Sequence, residues 1–258
     1  MARPRHVLLK AWAAILIPAM AYAQGPSKNV PAGYTIIYST DFNRGFDGQL
    51  RLQAPTNSSL TIVDSPGGRG GKAVKVDIND SDDFSSVANG VPRAEVSLAN
   101  IARFQAGKDY FIAWSTYIPA DYQFDLKQPE SIAQIHEGPN KGQPPWGIVL
   151  TGGHYQVDLR GGPESGQHID IGNAQEDKGS WVDWGLHYKP DPTGAGSVTE
   201  LYKNGTMVLD KSGVPNAYPG DDQSYFKVGI YKWWWKTRPS DVSRRILYIT
   251  DVSIGSKE

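Results

Sequence analysis

The stretch Ser224-Tyr-Phe-Lys-Val-Gly-Ile-Tyr-Lys-Trp-Trp-Trp-Lys236 says most about the fold. β-Branched and aromatic residues dominate it and no proline interrupts it, which predicts one long β-strand over residues 224–235. Because side chains alternate between the two faces of a strand, Phe226, Val228 and Ile230 are expected to face the core. The opposite face would carry Tyr225, Lys227, Tyr231, Trp233 and Trp235. Such a row is typical of a groove floor that binds a flat, negatively charged, polyhydroxylated chain.

Turn signals divide the rest of the chain into short segments with a strand-like pattern. Strands are predicted at 34–40, 60–63, 72–78, 93–98, 109–118, 130–137, 146–151, 154–159, 167–171, 182–189, 198–203, 206–209 and 245–254, with 41–55 as a loop. Asn204-Gly205 is a signal for a two-residue type I′ hairpin. Many short strands with few helix-period stretches predict an all-β sandwich or jelly roll.

Composition narrows the classes of protein and partner. The chain has 258 residues and a formal net charge of −1, so no nucleic-acid partner is expected. It has no cysteine, which excludes disulfides, cysteine metal sites and cysteine nucleophiles. Residues 24–258 show no repeat, linker or shift in composition, so they are expected to form a single domain that acts as a monomer.

The N-terminus has the pattern of a secretion signal. A basic segment with Arg3, Arg5, His6 and Lys10 precedes an apolar run at 11–20 and the small-x-small sequence Ala21-Tyr22-Ala23. The apolar run is too short to span a bilayer, so no membrane partner is expected. Residues 1–23 are therefore predicted to be a signal peptide, and the protein to be secreted, extracellular or periplasmic. A short membrane anchor is the alternative.

Three motifs place polar residues on predicted strand faces. In Arg93-Ala-Glu-Val-Ser-Leu98, Arg93 and Glu95 share one face. Such a pair is more often a surface pair that contributes little to stability. Its functional interpretation is a guanidinium directed at a substrate carboxylate and held in position by Glu95.

The second motif is Glu130-Ser-Ile-Ala-Gln-Ile-His-Glu137, which puts Gln134 and His136 on one face. A single histidine on a strand is more often structural. An amide beside an imidazole, however, has the donors to bind one carboxylate and a nitrogen to take up a proton.

The third motif, Lys227-x-x-x-Tyr231, again places two side chains on one face. Tyrosine works as an acid or base when its pKa is lowered, and a nearby ammonium lowers it by favouring the phenolate. The alternative is an amphipathic surface tyrosine with a lysine neighbour.

Other kinds of site receive less support. No Gly-x-Ser-x-Gly elbow occurs, and the paired carboxylates of a retaining glucanase on a Glu-x-Asp-x-x-Glu strand are absent. His154, His168 and His187 lack metal-ligand spacing, so no metal site is predicted. The loose spacing of Asp80, Asp82 and Asp83 suggests a loop that binds a structural Ca²⁺, although the EF-hand pattern is absent.

The set of polar residues suits β-elimination on a uronic acid better than hydrolysis: Arg93, Gln134, His136, Lys227 and Tyr231. The C5 proton of a uronate becomes acidic when donors such as Arg, Gln or His neutralise the adjacent carboxylate. A base then takes that proton and an acid protonates the leaving O4. These donors supply the reaction without a cofactor.

The motifs resemble those of jelly-roll polysaccharide lyases. Arg-x-Glu, Gln-Ile-His and Tyr-Phe-Lys-x-Gly-x-Tyr are similar to strand motifs of alginate lyases. Trp114-Ser-Thr-Tyr-Ile-Pro119, Gly185-Leu-His-Tyr-Lys189 and Lys203-Asn-Gly205 look closer to the heparin lyase I-like group, which includes glucuronan lyases. The resemblance implies a concanavalin A-like β-jelly roll with a concave substrate groove. Trp233-Trp-Trp235 is a departure to which the resemblance assigns no role.

The resemblance also implies a role for each residue. Gln134, with Arg93 or His136, would neutralise the uronate carboxylate. Tyr231 would protonate the leaving oxygen, supported by Lys227, and the base would be Tyr231 or His136. The remaining groove residues, expected to bind substrate, are Glu95, Tyr225, Trp233 and Trp235.

Stereochemistry links the base to the substrate. In glucuronate and mannuronate the C5 hydrogen and O4 lie on the same face, so one tyrosine would serve both steps. In guluronate they lie on opposite faces, which requires a second group such as His136. Glucuronan is the leading substrate and alginate the next. A non-catalytic lectin-like binding module is the alternative from another class of protein.

Overall fold

The computed structural model describes residues 30–162 and 164–258, so the predicted signal peptide lies outside it. The described chain forms two antiparallel β-sheets. The strands are β1 Thr35–Thr40, β2 Arg51–Gln53, β3 Leu60–Asp64, β4 Lys72–Asn79, β5 Arg93–Ser97, β6 Asp109–Tyr117, β7 Glu130–His136, β8 Trp146–Thr151, β9 His154–Gly161, β10 Glu164–Asn173, β11 Trp181–Lys189, β12 Val198–Lys203, β13 Thr206–Asp210, β14 Tyr225–Tyr231 and β15 Arg244–Lys257. Two short 3₁₀ helices lie at Ala88–Gly90 and Ala174–Asp177.

The two sheets have different strand orders. The back sheet runs β13-β12-β11-β6-β15-β4-β3, with β1 also paired to β15. The front sheet runs β10-β9-β8-β7-β14-β5-β2. Neighbours that are distant in sequence, such as β14 between β5 and β7, bring the three motifs onto adjacent strands. The all-β jelly roll predicted from the sequence is confirmed.

The core lies between the sheets and is built from alternate residues of each strand. Phe226, Val228 and Ile230 of β14 are fully buried, as the alternation predicted. The Phe226 ring lies 5.0 Å from that of Trp114 on β6, which also stacks on Trp184 at 6.2 Å. Burying side chains of this size contributes roughly 1.5–3 kcal/mol each. This packing fixes which face of β14 points outward.

Local sequence signals set most strand ends. Lys203 pairs with Thr206 across Asn204 and Gly205, whose φ angles of 50° and 80° are those of a type I′ turn. The loop predicted at 41–55 contains the three-residue strand β2, which the sequence did not indicate. Within residues 30–162 and 164–258, no helix is long and apolar enough to cross a membrane.

The long strand predicted at 224–235 is wrong at its C-terminal end. It stops at Tyr231, and residues 233–237 form a turn. Lys232 points inward, fully buried, with its Nζ 2.8 Å from Oδ2 of Asp125. Trp235 also points inward: it is 5% exposed and its indole N–H donates to the Val242 carbonyl. The prediction that Trp235 faces the groove is wrong because the strand ends at Tyr231, and the alternation of a strand does not apply in the turn at residues 233–237.

Candidate active site

A groove of about 670 Å³ crosses the outer face of the front sheet. Its floor comes from outward-facing residues of β7, β8 and β14, and its ends come from β9, β10 and the turn after β14. The lining residues are Pro129, Ser131, Gln134, Gln143, Pro144, Gly147, Val149, Thr151, Gln156, Asp158, Arg160, His168, Tyr231, Trp233 and Trp234.

Strand register arranges the site into rows that run across the strands. One row is Ser97, Lys227, Gln134, Gly147, Asp158 and His168. A second row is Arg93, Tyr231, Ser131, Val149, Gln156 and Asp170, and on β5 and β14 the pair Glu95 and Gly229 lies between the two rows. Residues directly opposite each other in an antiparallel pair share a face. The three sequence motifs therefore meet in these two rows.

An irregularity in β7 lets both rows face the groove. The register between β7 and β8 shifts between Ser131 and Ala133, so Ile132 and Ala133 are both buried although they are adjacent. A bulge of this kind changes which residues point outward. It brings Ser131 to the same side as Gln134, three residues away.

Glu95 is the centre of a buried polar cluster. Its Oε1 accepts from Nε2 of Gln134 at 2.5 Å, and its Oε2 lies 2.6 Å from Nζ of Lys227 and 3.5 Å from Nη1 of Arg93. All four residues are at most 4% exposed. Glu95 was expected to bind substrate, but its oxygens face these protein donors. Its contacts are with Gln134, Lys227 and Arg93, whose side chains it holds together.

The charges in this cluster do not balance. Arg93 and Lys227 are cationic and Glu95 is anionic, so the three carry a net charge of +1. Burial lowers the pKa of Lys227, and the Glu95 carboxylate opposes that shift. Gln134 uses one amide proton on Glu95 and has a second to donate. The cluster can therefore accept one further carboxylate.

Tyr231 lies beside this cluster, with the Arg93 guanidinium 4.2 Å from its ring centroid. Burial raises the pKa of Tyr231, while the charge of Arg93 opposes that rise. The expectation that Lys227 would lower this pKa is wrong, because the Lys227 ammonium is engaged by Glu95 and desolvation dominates. A phenol that stays protonated suits a proton donor.

His136 lies on the other side of Gln134, paired with Tyr225 across β7 and β14. The two rings stack at 5.2 Å, and the Arg103 guanidinium lies 4.7 Å from the Tyr225 ring. Nδ1 of His136 lies 2.8 Å from the Glu137 carbonyl, which only accepts, so Nδ1 carries the proton and Nε2 holds a lone pair. Burial lowers the pKa of His136. A neutral imidazole with a free lone pair suits a base.

The turn after β14 adds an aromatic wall, formed by Tyr231, Trp233 and Trp234. Successive ring centroids lie 5.5 and 5.6 Å apart, and the Arg238 guanidinium lies 3.6 Å from the Trp234 ring. Trp233 lines the groove as the sequence indicated. Trp234 takes the place expected for Trp235, because the chain turns after Lys232.

Sequence reasoning missed the polar row at the far end of the groove. Gln156, Asp158 and Arg160 alternate on β9 with the buried Tyr155, Val157 and Leu159. His168 on β10 was set aside for lacking metal-ligand spacing, yet its Nδ1 lies 2.6 Å from Asp158. The sequence signal for these residues is the strict alternation of apolar and polar side chains over residues 154–160.

Across residues 30–162 and 164–258, no three or more His, Asp or Glu side chains are arranged to hold a metal ion. That the chemistry needs no cofactor, with structural Ca²⁺ left open, stays a prediction.

The sequence matches the polysaccharide lyase family over residues 39–253. A search of curated protein sequences returned no match. The structure is similar to an endo-β-1,4-glucuronan lyase from the fungus Trichoderma reesei, with a TM-score of 0.66 and 18% identity over 80% of this chain and 90% of that one. It is also similar to the family 7 alginate lyase A1-II′ with bound product, with a TM-score of 0.59 and 15% identity over 83% and 98% of the two chains. A third similar structure is alginate lyase AlgAT5 of polysaccharide lyase family 7. Its TM-score is 0.55 and its identity 16%, over 81% of this chain and 94% of that one. At these identities the likeness is one of fold.

Proposed function

The chain belongs to the polysaccharide lyase family, and from that premise we propose that it cleaves an anionic polyuronate by β-elimination, with glucuronan as the favoured substrate. The observation that carries this proposal is the buried cluster around Glu95. Its net charge of +1 and the unused amide proton of Gln134 complement a single carboxylate. A neutral glycan would leave a buried cation without a counter-charge, which is costly.

The reaction follows from that contact. Once the uronate carboxylate is neutralised, the C5–H bond breaks and its electrons form the C4–C5 double bond. The C4–O4 bond breaks in turn, and O4 takes a proton. One linkage gives one unsaturated uronate end and one new sugar hydroxyl, and no water is consumed. Preorganised donors at the carboxylate stabilise the charge that develops at C5.

Tyr231 and His136 are the groups proposed to move protons. Tyr231, held protonated by burial, would supply the proton to O4. For glucuronan the same side chain would instead start as the phenolate, which the charge of Arg93 favours, take the C5 proton and then pass that proton to O4. The glucuronan preference is supported by the likeness in fold to a glucuronan lyase.

Alginate containing guluronate is the second candidate, and His136 favours it. The imidazole lies across Gln134 from Tyr231 and presents a neutral Nε2. That arrangement supplies a base and an acid from two sides, as guluronate requires.

The test is product formation on defined polymers. Purified protein is incubated with glucuronan, polymannuronate, polyguluronate, heparin and hyaluronan, and the ultraviolet absorbance of the C4–C5 double bond is followed. We expect Tyr231→Phe to abolish the signal on every polymer that is cleaved, while Tyr248→Phe on the back sheet leaves it unchanged. His136→Gln should abolish it only on polyguluronate.

Three outcomes would overturn the proposal. Unchanged product formation by Tyr231→Phe would remove the proposed acid. Reducing ends formed without the absorbance would indicate hydrolysis. Binding of a polymer with no product from any of the panel would favour the binding-module alternative.

We also propose that the protein is secreted after removal of residues 1–23. The support is the basic segment, the apolar run and Ala21-Tyr22-Ala23. Mass spectrometry of the protein recovered from outside the cytoplasm should give a chain that starts near Gln24. A product that keeps Met1 would contradict this.

A further inference from the structure

We propose that Arg160 and His168, oriented by Asp158, form a second uronate-binding subsite at the far end of the groove. The subsite lies outside the three sequence motifs. It rests on the proposed function, since it supposes that the groove binds an extended polyuronate.

Strand register places this subsite at a fixed distance from the reactive one. Gln134, Gly147, Asp158 and His168 are successive partners in one row. Neighbouring strands lie about 4.8 Å apart, so Asp158 is about 10 Å from Gln134 across the sheet. A pyranose repeat has a length similar to one strand spacing. A polymer lying along the row would therefore present one sugar at Gln134 and another, two units away, at Asp158.

Gly147 leaves the path between the two subsites open. It has no side chain, and a Cβ there would come within 3.2 Å of the Ala133 carbonyl oxygen. The next outward residue on the strand, Val149, also lines the groove. A small floor between two polar positions is what a chain of sugar rings needs to lie close to the sheet.

Asp158 is an organiser of donors, not a ligand for the polymer. It is 7% exposed, and both of its oxygens are engaged. Oδ1 accepts from Gln156 Nε2 at 2.7 Å and lies 2.6 Å from His168 Nδ1, while Oδ2 accepts from Arg160 Nη2 at 2.8 Å. Glu95 holds its own partners in the same manner at the reactive subsite.

The side chains around Asp158 have hydrogen-bonding groups left for a ligand: Arg160 has donors, and His168 has an Nε2 that accepts while Nδ1 carries the proton. Among the described parts of the chain, Arg160 donates to Asp158 and to the Pro144 carbonyl, which uses two of its five N–H groups. The imidazole of His168 is 56% exposed and turns Nδ1 to Asp158, so that Nε2 is directed away from the sheet. A guanidinium fork beside an imidazole matches a carboxylate and its neighbouring hydroxyl.

The contribution of this subsite to substrate binding can be measured by varying the length of the substrate. Arg160→Ala and His168→Ala are expected to raise KM on long polyuronate about tenfold, the loss of one charge-assisted hydrogen bond. The ratio of variant to wild-type KM should fall towards one as size-fractionated oligomers become too short to reach from Gln134 to Asp158. Arg244→Ala, which removes an exposed guanidinium on the back sheet, should match the wild type at every length.

A binding measurement makes the test independent of turnover. Calorimetry compares the affinity of polyglucuronate and polyguluronate for Tyr231→Phe with that for Tyr231→Phe/Arg160→Ala, and the melting temperatures of both proteins establish that they are folded. A loss of affinity confined to long chains supports the subsite. Equal affinities, or a loss of the same size on all lengths, would overturn it. Failure of the wild-type protein to form unsaturated product would count against the proposed reaction and not against this binding difference.

Discussion

Replacing Glu95 with glutamine should be far more costly than an ordinary change of one charge. The variant keeps the shape of the side chain but leaves Lys227, which is fully buried, without its counter-ion at 2.6 Å. Removing one partner of a buried ion pair typically costs about 3–5 kcal/mol. A domain is stable by about 5–15 kcal/mol in total, so Glu95→Gln should lose about a fifth of its stability or more.

A second substitution separates this charge effect from catalysis. Glu95→Gln/Lys227→Met removes both charges, and replacing a buried pair by groups of similar volume is often neutral or stabilising. We therefore expect the double variant to recover most of the lost stability. It should not recover activity, because Gln134 no longer has a carboxylate to fix its amide, and losing a preorganised donor costs about 100-fold or more in rate.

Urea unfolding and product absorbance measure the two effects on the same proteins. Asp64→Asn is the matched control, since it breaks an ion pair with Lys72 in which Asp64 is 89% exposed, and it should change neither measurement. The reasoning would be refuted if Glu95→Gln unfolded at the same urea concentration as the wild type. It would also be refuted if the double variant were no more stable than Glu95→Gln.

Three other predictions follow from single side chains. Burial, assisted by the nearby Asp221, raises the pKa of the Glu137 carboxyl to about 7. The folded protein is therefore most stable at low pH, where this carboxyl is protonated, and it loses that stability as the pH rises through 7. Glu137→Gln should thus match the wild type near pH 4 and exceed its stability by up to about 3 kcal/mol near pH 8, as urea midpoints would show. Gly229→Ala should cost about 3 kcal/mol and most of the activity, because φ is +149° and a Cβ would lie 2.2 Å from the Ala94 carbonyl oxygen; a variant of native stability would contradict this. Trp234→Ala should raise KM without changing the melting temperature, whereas Trp235→Ala should lose about 3–5 kcal/mol of stability, and the reverse order would refute the assigned orientations.

The alternation of apolar residues was enough to predict most strands and their faces. Phe226, Val228 and Ile230 are buried as expected, and 146–151 and 198–203 are strands with the predicted bounds. Alternation works here because each strand of a sandwich has one face in the core. It also predicts which motif residues share a face, and the order of the sheet then brings those faces together.

Long-range electrostatics is what the sequence does not reveal. The alternation places Lys232 on the core face with Phe226 and Ile230, but it does not reveal the partner of that buried charge, Asp125, more than a hundred residues earlier in the chain. The same limit applies to Glu95, whose partners Gln134 and Lys227 lie on other strands. These partners come from the tertiary structure and leave no local pattern in the sequence. The positions of Trp234 and Trp235 follow from the turn at residues 233–237, which the sequence did not indicate.

Glu95 and Asp158 are buried carboxylates that each hold a cluster of polar side chains, and the two clusters differ in net charge. Glu95 is surrounded by two cations and an amide, so its cluster keeps an excess positive charge where the C5 proton must become acidic. Asp158 is matched by the single guanidinium of Arg160, with His168 and Gln156 completing its shell. Its surroundings can hold a sugar by hydrogen bonds but add less to carboxylate neutralisation. The electrostatic attraction for a uronate should therefore be strongest at Gln134 and decrease towards β10. On this argument, charge selects the sugar that reacts, and the rest of the chain is held by hydrogen bonds and stacking.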